Sequence, residues 1–242
     1  MFTSRNSSTL LISLFLNAVS LSSCGSSTEQ KQTDVAKIES SQKKTDQKTI
    51  LFFGNSLTAA YGIDQEVGFA GLTQARMDSL GLNYRVINGG LSGETTAGGL
   101  SRLDWFLEDE PYIFILELGG NDGLRGILPA ESKRNLNGII DKVRAKYPET
   151  KIILAGMQIP PNMGQEYTEE FKSIYPEVAS EKNVTLIPFL LENVGGIPEL
   201  NLPEGIHPTE EGHKIVFETI WPYIESLINW FAYDNYLEKR ND

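Results

Sequence analysis

Four short segments of the chain hold most of the side chains that can do covalent chemistry. They are Gly54–Thr58, Asn88–Thr96, Gly119–Gly123 and Glu204–Pro208. Together they supply a serine hydroxyl, glycine amides, a carboxamide, a carboxylate and an imidazole. Serine is a weak nucleophile until a base removes its proton, and histidine titrates close enough to neutral pH to act as that base. An acceptor on the second imidazole nitrogen and fixed N–H donors for an oxyanion complete the requirements for nucleophilic acyl transfer.

Each segment also has an ordinary structural explanation. Ser56 can cap the segment that follows it, Gly93 can belong to a plain turn, and Asn121 begins a sequence typical of turns. The base is a choice between two histidines, His207 and His213. His207 precedes a proline and is expected in a loop, whereas His213 falls in a predicted helix, where we expect a partly exposed side chain. The combination of segments, and no single residue, favours chemistry.

Each segment lies after a predicted strand. Short apolar runs predict buried strands at 50–53, 84–87, 113–116, 152–155 and 185–188, and amphipathic stretches predict helices at about 68–80, 96–108, 132–146, 167–182 and 209–231. This alternation predicts right-handed βαβ units, and therefore an α/β fold with three αβα layers around a parallel sheet. Ligands of such sheets bind beyond the carboxyl ends of the strands, so the four segments are expected at one edge.

The last predicted helix has an apolar stripe at helical spacing. The stripe consists of Val216, Phe217, Ile220, Ile224, Leu227, Ile228 and Phe231. A membrane-surface role is conceivable, but a helix that covers a sheet needs the same stripe, which favours core packing. Pro222 is expected to kink or restart this helix.

Composition restricts the classes of function. The 242-residue chain has 21 basic and 32 acidic residues, and its net charge of −11 argues against a nucleic-acid partner. One cysteine and two histidines are too few for a zinc site built from these ligands, so no metal is expected. Neither a G-x-G dinucleotide fingerprint nor a G-x-x-x-x-G-K-[ST] phosphate loop occurs. The sequence predicts an acidic domain that works without a cofactor.

The first 24 residues are typical of an export signal. Arg5 precedes an apolar run at 10–21 that is too short to span a membrane as a helix. The run ends at Leu21-Ser22-Ser23-Cys24, which resembles a bacterial lipobox, in which the cysteine becomes the lipidated first residue. The alternative is an ordinary signal peptide with a chance cysteine.

Residues 25–48 are polar and predict a flexible linker, because they cannot bury enough apolar surface to fold. We therefore expect residues 49–242 to form the folded domain. Lipidated Cys24 would anchor this domain to a membrane, in the periplasm or elsewhere in the cell envelope. The domain is expected to be a monomer.

Four motifs, in this order, resemble the SGNH, or GDSL-type, hydrolase family and its thioesterase I, lysophospholipase and arylesterase branch. They are Phe53–Leu57, Ser92–Thr95, Glu117–Gly126 and Glu204–Pro208. The resemblance covers most of 49–242 and implies a five-stranded parallel sheet of flavodoxin-like order 2-1-3-4-5. It also implies a serine esterase that hydrolyses carboxylic esters or thioesters without a metal or cofactor.

The resemblance assigns a role to each matching residue. Ser56 is the nucleophile that forms an acyl-enzyme, and His207 is the base. The amides of Ser56 and Gly93 and the side chain of Asn121 form the oxyanion hole. Glu204 stands where the family has the aspartate that orients the base.

Two departures from the family pattern bear on activity. Asn55 replaces the usual aspartate before the nucleophile, which keeps hydrogen-bonding capacity but removes a charge. Glu204 is one methylene longer than the usual aspartate, so the loop must adjust; otherwise a Ser–His dyad remains. These departures leave open a catalytically weakened binding protein of the envelope.

The loop after the fourth strand bears on the substrate. Met157, Ile159 and Met163 are candidates for an acyl groove, although packing within the loop explains them equally well. The loop looks shorter than in the thioesterase I branch and contains Pro160-Pro161. A shorter acyl or aryl ester is therefore at least as plausible as a long-chain lipid, and a carbohydrate deacetylase of the same family is the alternative enzyme.

Overall fold

The structure is a computed structural model that describes residues 47–228. Within this range, five parallel strands form a sheet in the order β2-β1-β3-β4-β5, which confirms the expected sheet and its order. The strands are β1 Lys48–Gly54, β2 Tyr84–Gly90, β3 Ile113–Glu117, β4 Lys151–Ala155 and β5 Thr185–Ile187. The predicted export signal, Cys24 and all but the last two residues of the predicted linker lie outside the described range.

Six α-helices connect or follow the strands in the described range. They are α1 Phe69–Ser79, α2 Thr96–Arg102, α3 Gly120–Leu124, α4 Pro129–Lys146, α5 Gln165–Lys182 and α6 Glu210–Leu227. The predicted helix at 96–108 is α-helical only to Arg102 and continues as a 3-10 turn, Leu103–Phe106. Helix α3 was not predicted; Gly119, at a φ of 116°, lets the chain turn directly from β3 into it. No helix between residues 47 and 228 has the length and apolar character to cross a membrane.

Neighbouring residues of a strand point to opposite faces of the sheet, and helices cover both of these faces. The ring of Phe52 lies 5.6 Å from that of Phe69 in α1, whereas Phe53 packs on Phe106 and Phe114 on the other face. Helix α1 packs with α6, and α4 packs with both α2 and α5. The predicted three-layer αβα architecture is therefore confirmed.

Helix α6 continues without interruption through Pro222, so the predicted restart there is wrong. A proline inside a helix removes one backbone hydrogen bond. Three residues of the apolar stripe, Val216, Ile220 and Ile224, are buried and lie on both sides of the proline; Phe231, the last residue of the predicted stripe, lies outside the described range. This burial supports the core-packing interpretation of the stripe and offsets the lost hydrogen bond.

His213 is buried, with 1% of its surface exposed, and not partly exposed as expected. Its Nδ1 accepts a hydrogen bond of 3.3 Å from the N–H of Phe69, and its ring stacks on the Phe69 ring at 5.5 Å. Burial lowers the pKa of His213 to about 4, and the nearby His207 contributes to the lowering. His213 therefore joins α6 to α1 as a neutral side chain.

The low pKa of His213 predicts a pH-dependent stability. The unfolded chain takes up a proton at this residue below pH 6.5 and the folded chain only near pH 4, so acidification favours unfolding. The His213→Gln variant lacks this effect. Between pH 7.5 and pH 4, the free energy of unfolding of the wild type should therefore fall by about 3 kcal/mol more than that of the variant. Urea denaturation of both proteins across this range measures their free energies of unfolding. A difference between the two proteins that does not change with pH would contradict the low pKa of His213.

Candidate active site

The four predicted segments meet at the carboxyl edge of the sheet, around a cavity of about 510 Å³. Ser56 follows β1, Gly93 follows β2 and Asn121 lies in α3, directly after β3. His207 lies in the loop between β5 and α6. All four residues line the cavity, so the structure brings together the residues that were selected from separate parts of the sequence.

Ser56, His207 and Glu204 form a continuous hydrogen-bonded chain. The Oγ atom of Ser56 lies 2.9 Å from Nε2 of His207, and Nδ1 of His207 lies 2.7 Å from Oε1 of Glu204. The pKa of Glu204 is lowered by a hydrogen bond from its own backbone N–H and by the one to His207. The ionised form of Glu204 is thus favoured, and it lies on the side of the imidazole opposite the serine.

A tight turn places Glu204 beside the imidazole. The N–H of Leu202 donates to the carbonyl of His207 at 2.7 Å, and the N–H of Gly205 donates to the carbonyl of Leu202 at 2.8 Å. Gly205 has a φ of 81°, a conformation that side chains rarely allow. With the loop folded in this way, the longer side chain of Glu204 reaches His207, as the expected loop adjustment requires.

The turn that carries Ser56 is held by Glu117, the last residue of β3. This carboxyl group is 1% exposed and accepts hydrogen bonds from the backbone and side chain of both Asn55 and Thr58. Gly54 lacks a Cβ where one would lie 2.5 Å from Oε2 of Glu117, so only glycine permits this close approach. Burial raises the pKa of Glu117 to about 7, although all four hydrogen bonds act to lower it.

Two potential oxyanion donors face the same cavity from different segments. The Nδ2 of Asn121 donates to the carbonyl of Glu94 at 3.0 Å, which uses one of its two hydrogens. Gly93 has a φ of 81°, and its carbonyl accepts a hydrogen bond of 2.9 Å from Arg125. The segments that carry Gly93 and Asn121 are therefore tied to each other.

The side chain of Arg102 in α2 joins the segments Gly54–Thr58 and Asn88–Thr96. Its guanidinium group is buried, pairs with Glu94, and donates to the carbonyls of Gly54 and Gly89 at 3.1 and 2.9 Å. It also lies over the ring of Phe53. The sequence analysis missed the roles of Arg102 and Glu117. A glutamate at the end of a buried apolar strand is a signal for Glu117, whereas nothing in the local sequence distinguishes Arg102.

The walls of the cavity are mainly apolar. Met157 and Ile159 line it as predicted, but Met163 does not; it lies in the 3-10 turn Pro161–Met163 and packs against the core. The other large apolar lining residues are Leu57, Tyr61, Leu124, Phe189, Leu191 and Ile206. Tyr61 also stacks on His207, with ring centroids 4.5 Å apart. Across residues 47–228, no three histidine, cysteine, aspartate or glutamate side chains form a group that could hold a metal ion.

Comparison with known proteins identifies the family. Residues 52–215 match the model of the GDSL-like lipase/acylhydrolase family. The chain belongs to this family. As a member, it is an enzyme that hydrolyses ester bonds.

Two relatives and a solved structure support the assignment. The chain is 42% identical to esterase TesA of Pseudomonas aeruginosa, over 75% of its own length and 90% of the relative. It is 34% identical to thioesterase 1/protease 1/lysophospholipase L1 of Escherichia coli, over 75% and 85% of the two chains. The crystal structure of TesA matches with a TM-score of 0.71, covering 75% of this chain and all of the other.

Proposed function

We propose that Ser56 is the nucleophile of this esterase, His207 its general base and acid, and Glu204 the carboxylate that orients the imidazole. The observation that carries this proposal is the 2.9 Å contact between Ser56 Oγ and His207 Nε2. Glu204 binds the opposite nitrogen at 2.7 Å, which favours the tautomer that leaves Nε2 free to accept a proton.

The proposed reaction has two halves. Ser56 Oγ attacks the ester carbonyl carbon while its proton moves to Nε2 of His207, and the negative charge on the carbonyl oxygen is held by N–H groups of Ser56, Gly93 and Asn121. The carbon–oxygen bond to the leaving group then breaks, and His207 gives its proton to the departing oxygen, which leaves as the alcohol. Water attacks the acyl-enzyme in the same way, which releases the carboxylic acid and restores the serine hydroxyl.

Replacement of the nucleophile tests the assignment. We expect Ser56→Ala to abolish hydrolysis of p-nitrophenyl butyrate and covalent labelling by a fluorophosphonate, because only an activated serine reacts with this probe. Circular dichroism should show an unchanged fold. Ser101→Ala, at an exposed serine of α2, is the matched control and should retain both activities. Activity of Ser56→Ala within tenfold of the wild type would refute the assignment.

We propose that the substrate is an ester with an acyl chain that enters the apolar cavity. Leu124, Met157 and Ile159 line the same cavity as Ser56, which supports an aliphatic acyl group in the substrate. The esterase and thioesterase/lysophospholipase names of the relatives agree with this class of substrate. No feature of the cavity specifically favours a sugar acetate.

A series of p-nitrophenyl esters from acetate to decanoate tests the acyl proposal. Each CH₂ buried contributes about 0.8 kcal/mol, so kcat/KM should rise about fourfold per CH₂ until the cavity is filled. Leu124→Asp places a charge in the cavity wall and should abolish this rise while acetate hydrolysis persists. Leu128→Asp, four residues away and outside the lining, is the control. Fastest turnover of acetate by the wild type would favour a deacetylase.

We propose that lipidated Cys24 anchors the enzyme to a membrane of the bacterial cell envelope. The support is the sequence Leu21-Ser22-Ser23-Cys24 after an apolar run, and the absence of any other cysteine from the chain. Several acyl chains on one cysteine would give a stable anchor. Cells that express the full chain should incorporate radiolabelled palmitate into it, and Cys24→Ser should not be labelled. Equal labelling of both proteins would contradict this proposal.

A further inference from the structure

Most of the exposed large apolar side chains surround the opening of the cavity that contains Ser56. Across residues 47–228, these exposed side chains are Tyr61, Leu91, Trp105, Leu124, Leu128, Ile197 and Ile206. Tyr61, Leu124 and Ile206 also line the cavity, so they lie where it opens to solvent. Leu91 directly precedes Ser92, a lining residue, and Ile197 directly follows another. We call these five side chains, Tyr61, Leu91, Leu124, Ile197 and Ile206, the rim.

The rim surrounds an opening that is free of charged walls. Among the described residues that line the cavity, none is an aspartate, glutamate, lysine or arginine, although the chain has 21 basic and 32 acidic residues. The two charged side chains next to the cavity are engaged, since Glu204 binds His207 and Arg125 donates to the carbonyl of Gly93. A contiguous apolar and uncharged surface on an acidic protein indicates contact with an apolar partner.

Trp105 is more exposed than any rim residue, at 77%, but its surroundings differ. It lies in the 3-10 turn Leu103–Phe106 and lines a separate small cavity together with Thr49, Glu108 and Asp109. Thr49 is near the start of β1, at the opposite end of this strand from Ser56. Trp105 therefore lies away from the rim and beside acidic side chains, which makes it a matched control.

The position of the rim restricts the kind of partner. A protein or a second copy of this chain seated on the rim would close the cavity and keep an ester from Ser56. A lipid layer would instead supply the ester, because an acyl chain that lies in the layer enters the cavity without crossing water. The net charge of −11 opposes contact with anionic lipid, so the contact is expected to be apolar and made with neutral lipid.

The predicted linker is long enough to permit this contact at the membrane that would hold Cys24. Residues 25–47 separate Cys24 from β1, and a flexible polar chain of this length has a root-mean-square end-to-end distance of about 25 Å. The distance along β1, from Lys48 to Gly54, is about 20 Å. The linker can therefore span the length of the strand, from its start to the edge where the rim lies.

We propose that the rim is a lipid-binding surface, which contacts a neutral lipid layer and admits esters from that layer into the cavity. This inference deepens the proposed function and rests on it for the ester substrate. The contact between the rim and lipid does not require the hydroxyl of Ser56, so binding and hydrolysis are tested separately.

A dye placed on the rim tests the binding. Cys24 is the only cysteine of the chain, so the full chain carrying Cys24→Ser and Leu91→Cys takes up a nitrobenzoxadiazole dye at one position. With phosphatidylcholine vesicles, the emission of this dye should rise and shift to shorter wavelength, because the dye enters lipid. The same dye attached through Trp105→Cys should remain in water. Adding Ile197→Asp, at a second rim position, should abolish the response at position 91.

Hydrolysis of a lipid-borne ester tests the second half of the proposal. The measurement is the rate on p-nitrophenyl decanoate carried in phosphatidylcholine vesicles, divided by the rate on dissolved p-nitrophenyl butyrate. The double variant Leu91→Asp/Ile197→Asp, in the full chain with Cys24→Ser, should lower this ratio about tenfold or more. Neither side chain lines the cavity, so the ratio reports access from lipid. Trp105→Asp is the control and should keep the ratio of the parent protein.

Several results would overturn the proposal. They are a dye at position 91 that stays in water, an equal response at position 105, and an unchanged ratio in the double variant. Binding to phosphatidylglycerol but not to phosphatidylcholine vesicles would also overturn it, since charge would then drive the contact. A dimer that the double variant converts to a monomer would assign the rim to a second copy of the chain. A protein that binds vesicles through the rim but hydrolyses neither ester would instead refute the proposed nucleophile.

Discussion

The contact between Ser56 and His207 is the interaction on which the site depends. The two residues are 151 positions apart in the chain, yet Oγ of Ser56 and Nε2 of His207 lie 2.9 Å from each other. The serine is fixed by the end of a central strand, and the histidine by a loop that folds back through Leu202 and Gly205. A parallel sheet makes this possible because it places the ends of all its strands at one edge.

Buried charged groups hold the segments that carry the contact between Ser56 and His207. Glu117 holds the turn of Ser56, Arg102 ties the first two segments, and Asp122 connects α3 to α2 and α4. Taking such groups out of water is costly, and the raised pKa of Glu117 reflects that cost. Each group is nevertheless surrounded by specific partners, so any shift of a segment leaves a buried polar atom unmatched. This penalty restricts the site to one arrangement.

Several elements differ from the sequence-based expectations for identifiable reasons. Periodicity cannot distinguish an α-helix from a 3-10 turn, so the end of α2 at Arg102 was missed. The helical position of His213 did not reveal that Phe69 of a distant helix covers it. Met163 has the apolar character of a groove residue, but the 3-10 turn at Pro161–Met163 directs it to the core and not to the cavity.

The sequence alone was sufficient to predict the α/β class and the strands, because apolar runs are local signals, and the resemblance of short motifs to a known family selected Ser56, Gly93, Asn121, Glu204 and His207 as candidates. Tertiary structure decided the rest. It determined that Glu204 reaches the imidazole, that Glu117 and Arg102 organise the site, and which apolar residues line the cavity. These properties depend on distances between strands and loops, which no local pattern specifies.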